Sequence, residues 1–406
     1  MRFIPLCFFH IHLNTLLNRP SPAHRHSQML SSLAALSYAP PQPNAAAWAV
    51  IQKQFSAVSI GLAFTDDKTG YTSFTDGASA PVITKTVDGG ATWSKTAVNT
   101  TGAMLMPMGF ASGTGAGAPI VSVGMAANKH SSDGVNFLPS KGGPFSSQGV
   151  AYSPSGDFAV AGDNGVCVSS DKGATFKCMQ VPGMSDGRYV AMPSKDVIYL
   201  TAGHWPANPP SSPSAVKDSD VHRISHGLRL REGKVEMGAE AGVAANGDYA
   251  GSIWKSADAG ATWTQLLSNT GAYYFNGIDC FDETSCVAVA EGFAQDGSTD
   301  PGAKVFVTND GKNFTLAHSE STTGQESLMA AKMLSKSEHW AGGTTQSGGF
   351  SAPLLALHST DGGKTWANED NGVKGQMITA MSFPSAAHGY ATTVNALQVC
   401  SLLEYK

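Results

Sequence analysis

The chain has 406 residues, 42% of them hydrophobic, with 45 glycines, 21 prolines and a formal net charge of −5. Such composition suits many short strands and tight turns, either in a few average domains or in one domain that grows by repetition. Residues 1–47 carry Arg2, Arg19 and Arg25 and no acidic residue, so the remainder holds 23 basic against 31 acidic side chains, net −8. That balance argues against nucleic acid or an anionic membrane as partner.

Residues 1–47 differ in composition from the rest of the chain, where Asp66 is the first acidic residue, and read as a targeting leader rather than as fold. From Met29 an apolar stretch runs into a proline-bearing one and ends on Ala45-Ala46-Ala47, as a cleavage site would. It has no basic start of its own. The Arg- and His-containing stretch before it either supplies one, or is a plastid transit peptide ahead of a lumen signal, or lies upstream of the true translation start. No apolar run reaches the roughly 18 residues of a spanning helix. The expected location is secreted, with the plastid lumen as the alternative.

Beyond Trp48 the first unit offers four strands by alternation and β-branching: "SIGLAFT", "GYTSF", "VITKT" and "TWSKTAV". Its last two flank "TVDGGATW" (Thr86 to Trp93). Related stretches are "SSDKGATF" (Ser169 to Phe176), "SADAGATW" (Ser256 to Trp263) and "STDGGKTW" (Ser359 to Trp366), with shortened forms "SSDGVNF" (Ser131 to Phe137) and "TNDGKNF" (Thr308 to Phe314). The Gly-Lys-Thr at Gly363 looks like the close of a phosphate-binding loop, but His358 stands where such a loop needs its first glycine. Six copies at a period of roughly 40 to 50 residues instead signal a repeat of blades. In each, an Asp carboxylate (Asp88, Asp133, Asp171, Asp258, Asp310, Asp361) folds back on backbone N–H groups, glycine takes φ > 0, and an aromatic starts the return strand.

Further units open near Met104, Gly149, Tyr274 and Leu328. The fourth is unusual: "YVAMPS" and "VIYLTAG" are its first strands, but "SIWKS" waits until Ser252, leaving an insertion at about 203–251. A structureless loop of that length is functional or disordered. "ITAMSFPSAAHGYATTVNALQVCSLLEY" supplies three strands and no turn motif, and the stretch around Trp48 adds the fourth. The reading is all-β: a seven-bladed propeller of four-stranded antiparallel blades over 48–406, with six or eight blades if the insertion is misjudged.

Cys167 and Cys178 lie two residues outside one turn motif, and Cys280 and Cys286 bracket "FDETS" between two apolar strands. Both pairs are expected to be disulfides across hairpins, in an oxidising compartment. Cys400 has no evident partner. Asn99 and Asn313 lie in Asn-x-Ser/Thr sequons.

The repeated S-x-D-x-G-x-T-W stretch resembles the Asp-box (BNR) repeat of sialidase-type propellers. With "LAFTDDKTGYTSF" before "ITKTVDGGATW", residues 48–406 more closely resemble the photosystem II assembly and stability factor family. That resemblance implies a non-catalytic protein-binding or assembly factor without cofactor or metal; the alternative is a secreted glycoside hydrolase of sialidase-like fold, or a carbohydrate-binding protein.

Sialidase chemistry needs arginines from several blades, and only Arg188, Arg223, Arg229 and Arg231 follow the leader. "GMSDG" at Ser185 matches an esterase elbow but precedes a strand rather than a helix. "HRISH" (His222 to His226), with His204 upstream, has no fourth metal ligand. A glycosidase needs two carboxylates, and Asp76, Asp186, Asp248, Asp296, Asp300, Glu326 and Asp370 fall in loops. The working surface is expected at the insertion, through Trp205, Arg223, Arg229 and Arg231, sharing one end of the ring with Asp186, Glu326 and Asp370, opposite the turn motifs.

Overall fold

Short apolar runs separated by Gly- and Asp-bearing turns pair antiparallel with their neighbours in sequence, because a two- to five-residue turn leaves nothing else in reach. The computed structural model describes residues 46–56, 61–74, 82–98, 106–125, 127–144, 146–204, 228–231, 234–237, 249–294, 297–345, 352–395 and 400–406. Blades 1 to 6 cover 62–95, 106–139, 150–180, 187–270, 274–320 and 327–368, each with four strands in sequence order. A short strand, Ala97–Val98, adds to blade 2 in parallel against Asn136–Pro139, tying it to blade 1. The innermost strands of the seven blades contact one another in an unbroken circuit, so the array closes as a ring. Among the described residues there is no α-helix, and none is long and apolar enough to cross a membrane.

Blade 7 is composite. Gln376–Ser385, His388–Asn395 and Cys400–Tyr405 form its inner three strands, and Trp48–Ser56 from the opposite end of the chain pairs antiparallel with the last of them. Across the seam to blade 1, Tyr390 stacks on Phe64 at 3.7 Å and donates its hydroxyl to the carbonyl of Asp67 at 2.7 Å. The amide of Phe64 reaches the Ser382 hydroxyl at 2.8 Å. His388 lies 2.8 Å from Glu404 and 3.4 Å from Asp67, linking both blades. Equivalent ties recur elsewhere: Tyr71 donates to the carbonyl of Gly134 in blade 2, and Tyr199 to that of Glu283 in blade 5.

All six turn motifs join strands three and four of blades 1 to 6. In the turn of blade 6, Asp361 accepts from the Thr365 amide (2.9 Å), the Thr365 hydroxyl (2.7 Å) and the Ser359 hydroxyl (2.9 Å), and that serine accepts from the Gly363 amide. Asp88, Asp171 and Asp258 repeat this pattern. In the shortened copies Asn136 and Asn313 replace the threonine as donors to Asp133 and Asp310. In the four full-length copies the two residues after the Asp are left-handed, and blades 3 and 4 meet this with Lys172 (φ 62°) and Ala259 (φ 57°) in place of the first glycine; the shortened copies need it only at Gly134 and Gly311. Phe137, Phe176 and Phe314 then bury against the neighbouring sheets, whereas Trp93, Trp263 and Trp366 remain half-buried.

Both expected disulfides are present. Cys167 faces Cys178 between strands three and four of blade 3, and Cys280 faces Cys286 between strands one and two of blade 5. Cys400 is buried and, among the described residues, has no disulfide partner. The blade 4 insertion leaves the ring after His204 and returns at Ala250, which face each other in register. Within it, Leu228–Arg231 and Lys234–Met237 pair as a separate hairpin.

Hydrogen bonds from Thr92 hold the Asp88 carboxyl down at about 2, and those from Thr365 do the same for Asp361. Free aspartate titrates near ~3.9, so this stabilisation is present above pH ~4 and is lost as the pH falls toward 2. Asp361→Ala is therefore expected to lower the Tm at pH 7, with the gap to the parent closing below pH ~4 and unchanged by calcium or chelator. Thermal melts across pH check this; a calcium-dependent gap would refute the purely structural role of the carboxylate.

Candidate functional site

The innermost strands carry a repeated irregularity. Register shifts place a β-bulge at Met108 in blade 2, Arg188 in blade 4, Asn276 in blade 5, Met329 in blade 6 and Thr379 in blade 7. A bulge inserts one extra residue and re-aims its side chain. Gln148 occupies the corresponding position at the start of blade 3, just before Gly149. The residue after the bulge is usually small because inner strands crowd there: a Cβ on Gly109 would sit 2.5 Å from the carbonyl oxygen of Gln148, and one on Gly149 2.5 Å from that of Arg188. Gly277, Ala330 and Ala380 follow suit. Blade 4 departs, with Tyr189.

The character of this ring changes around its circumference. Met108, Met329 and Thr379 stand at the bulges of blades 2, 6 and 7, whereas blades 3, 4 and 5 contribute a polar arc. There the Arg188 Nη2 donates to Gln148 Oε1 at 3.4 Å and to Asn276 Oδ1 at 3.3 Å, spanning three blades. Asn276 in turn donates to the carbonyl of Leu328 in blade 6 at 3.1 Å. The Tyr189 hydroxyl donates to Gln148 Oε1 at 3.2 Å. The Arg188 guanidinium lies 4.7 Å from the centre of the Tyr274 ring, a desolvated cation–π contact.

Behind the arc, Glu291 is buried. It accepts from the Tyr274 hydroxyl at 2.5 Å and from the Ser327 hydroxyl. Burial pushes its carboxyl up, while the hydrogen bonds from Ser327 and Tyr274 and the charge of Arg188 act the other way. Burial likewise pushes the Tyr274 phenol up, helped by Glu291.

Arg188 also sits close to the base of the insertion. Asp186, two residues before it and in left-handed backbone (φ 54°), lies 3.0 Å from Nδ1 of His204, the last residue before the insertion. The carbonyl of Asp186 accepts from the Gly203 amide at 3.0 Å. The loop preceding blade 4 and the stem of the insertion are thus fastened together.

The other residues singled out in the sequence are dispersed. Glu326 is buried and accepts from Thr323 N (2.6 Å), Thr323 Oγ1 (3.0 Å) and Gln325 N (3.0 Å), closing its own loop. Asp370 accepts from the Gly372 amide at 2.7 Å, and Asp300 lies 3.2 Å from Lys304. Ser185 is followed by the strand Gly187–Ala191, without the helix an esterase elbow needs. Trp205, Arg223, His222, His226, Asp76, Asp248 and Asp296 lie outside the described residues, and Arg229 and Arg231 stand on the first strand of the insertion hairpin. No group of three or more His, Cys, Asp or Glu positioned for a metal occurs among the described residues. Sequence reasoning missed Gln148, Asn276, Tyr274 and Glu291 altogether and named Arg188 only to dismiss it; the available signal was a polar residue before a small one at the opening of a blade.

Glu291→Gln tests the buried carboxyl. Its raised folded-state pKa means that full stability exists below the unfolded value of about 4.3 and is lost as pH rises toward the folded one. The stability deficit of Glu291→Gln against the parent is expected to shrink with rising pH, by up to about 1.4 kcal/mol per pH unit between the two pKa values, as read by urea denaturation at pH 4 to 8. A pH-independent difference would mean that the Glu291 carboxyl is not pushed up in the folded protein.

No protein-family model matches the chain, and no curated protein does. Among solved structures it is similar to YCF48 bound to a D1 peptide, at 17% identity and a TM-score of 0.53 over 92% of this chain and 99% of that one. It is also similar to YCF48 from Cyanidioschyzon merolae (16%, 0.49, 88% and 98%) and to a PL25 polysaccharide lyase, an ulvan lyase (11%, 0.47, 88% and 94%). At these identities the first likeness bears on the fold alone, a propeller matched over nearly its whole length.

Proposed function

We propose that the chain is a non-catalytic binding propeller, an assembly-factor type of protein that holds a protein partner at the end of the ring where the blade 4 insertion emerges. The observation that carries this reading is the polar arc of Gln148, Arg188 and Asn276, drawn from three blades and joined to the stem of the insertion through Asp186 and His204. Arg188, Asn276 and Tyr274 are themselves buried and Gln148 is half-buried, so the arc is a fixed polar base beside the stem of the insertion, and contact with a partner falls to the groups around it. The hairpin within the insertion adds Arg229 and Arg231 on a two-stranded element belonging to no blade. YCF48, which shares the fold, is described in complex with a D1 peptide, and a peptide segment is the class of partner proposed for this chain.

The alternative, a glycoside hydrolase or a carbohydrate-binding protein, is less well supported. Glu326, Asp370 and Asp300 are each committed to their own loops, and Glu291 is buried with its carboxyl pushed up. The reading further takes residues 1–47 as a leader, 48–406 as the propeller, and the protein as secreted or lumenal, in keeping with two disulfides.

Replacing residues 206–248 by a short Gly-Ser linker tests the proposal. His204 and Ala250 face each other at the end of a seven-residue pairing, so both flanking strands remain paired and the ring stays folded. In cross-linking and affinity capture from the native source, a defined protein is expected with the parent and at least tenfold less with the shortened chain. Equal recovery would overturn the assignment of the surface, and hydrolysis of a glycoside panel by the parent would overturn the non-catalytic reading.

A further inference from the structure

Of the six turns, four place threonine opposite the aspartate and two place asparagine, Asn136 and Asn313. The two asparagines are equivalent in geometry. Each is exposed, each donates its Nδ2 to an Asp oxygen at 2.7 Å, and each precedes a buried phenylalanine, Phe137 or Phe314. They differ two residues further on, where Leu138 follows the first and Thr315 the second. Only Asn313 therefore stands in an Asn-x-Thr acceptor for oligosaccharide, with both its amide and the Thr315 side chain exposed.

We propose that Asn313 is an N-glycosylation site. The donor is a lipid-linked oligosaccharide: Asn313 Nδ2 forms a bond to the anomeric carbon, the bond from that carbon to the pyrophosphate oxygen breaks, pyrophosphate leaves on its lipid with the electron pair, and Nδ2 gives up one proton. A primary amide has two N–H groups and the turn engages Nδ2 through Asp310 Oδ2, so the substituted amide keeps one N–H for that bond. The backbone amides of Lys312 and Asn313, each 2.8 Å from Asp310 Oδ1, are untouched. The ring of Phe314 packs edge-on against Tyr199 of blade 4 at 6.2 Å, holding the acceptor segment to the blade 4–5 junction while its asparagine faces outward. The two disulfides fit passage through an oxidising compartment. The glycan would stand at the end of the ring that carries the turns, leaving the opposite end open.

Peptide mapping without prior reduction, on protein from its own source, decides the matter. The Asn313 peptide is expected to carry an oligosaccharide mass that N-glycosidase removes with conversion of the asparagine to aspartate, and Asn136 to be unmodified in the same digest. For protein secreted from eukaryotic cells, Asn313→Gln and Thr315→Ala should each lose one glycan, and Leu138→Thr should gain one. Thr315→Ala leaves the whole Asp310 turn in place, so its loss of glycan reports the acceptor sequence and not misfolding. An unmodified Asn313 in protein whose Cys167–Cys178 and Cys280–Cys286 bonds are intact would overturn the site while leaving the oxidising compartment and the partner-binding surface standing; unmodified asparagine together with free thiols would overturn site and compartment alike.

Discussion

The ring depends on the pairing of Trp48–Ser56 with Cys400–Tyr405, which brings the two ends of the propeller into one blade. A sheet that ends in an unpaired strand exposes a row of N–H and C=O groups, and closure removes that edge. Without this strand blade 7 has three, and Trp48 leaves a cluster in which it packs against Trp340, Phe383 and Tyr405 at 5.4 to 5.9 Å. Its amide also donates to Asn371 Oδ1 at 2.6 Å, which joins the closing strand to the loop between blades 6 and 7. Loss of the closing strand would thus loosen two blades and the seam with blade 1, where Tyr390, Phe64 and His388 make their contacts. This is long-range pairing, separated by nearly the whole chain, and it forms last in any folding order that starts from local hairpins.

Given closure, the two ends of the ring are free to differ. At the turn end each of six blades solves the same problem with its own Asp, hydroxyl and left-handed residues, and the solution is complete within eight residues. Tyrosines from the preceding blade then cap those turns or the adjoining loops, as Tyr71 does at Gly134 and Tyr199 at Glu283. The Asp carboxylates and the Ser or Thr hydroxyls that open those turns are occupied in holding them. The opposite end carries the insertion, the Asp186–His204 contact and the approaches to the inner bulges, where the blades cease to resemble one another.

This division also explains what was legible in the sequence. The turns and both disulfides follow from short-range chemistry, a carboxylate reaching an amide four residues on or cysteines close to a hairpin, and the closing strand from a last unit that is one strand short. The polar arc does not, because Gln148, Arg188 and Asn276 are separated by 40 and 88 residues and meet only when three blades are stacked side by side. Glu291 is one acidic residue at the end of an apolar strand, and nothing in the sequence around it marks it out. Its partner Ser327 lies 36 residues away in the next blade. The small residue after each bulge was visible, but its meaning, the close approach of neighbouring inner strands, is a property of the ring.

The arc is not something the fold demands. Met108 and Met329 occupy bulges of the same kind in blades 2 and 6, so the backbone accepts an apolar side chain at this position. Burying a guanidinium and the Asn276 amide costs desolvation that hydrogen bonds only offset, and apolar replacements of buried polar groups are often neutral or stabilising. Arg188, Asn276 and the buried Glu291 behind them therefore add little stability that methionine would not supply. What they add is position: a fixed cation, fixed acceptors and a fixed ring of Tyr274 on three adjoining blades, beside the stem of the one long insertion. A ring that only had to close would have no reason to concentrate its buried polar groups there, and the proposed recognition at this end rests on that concentration.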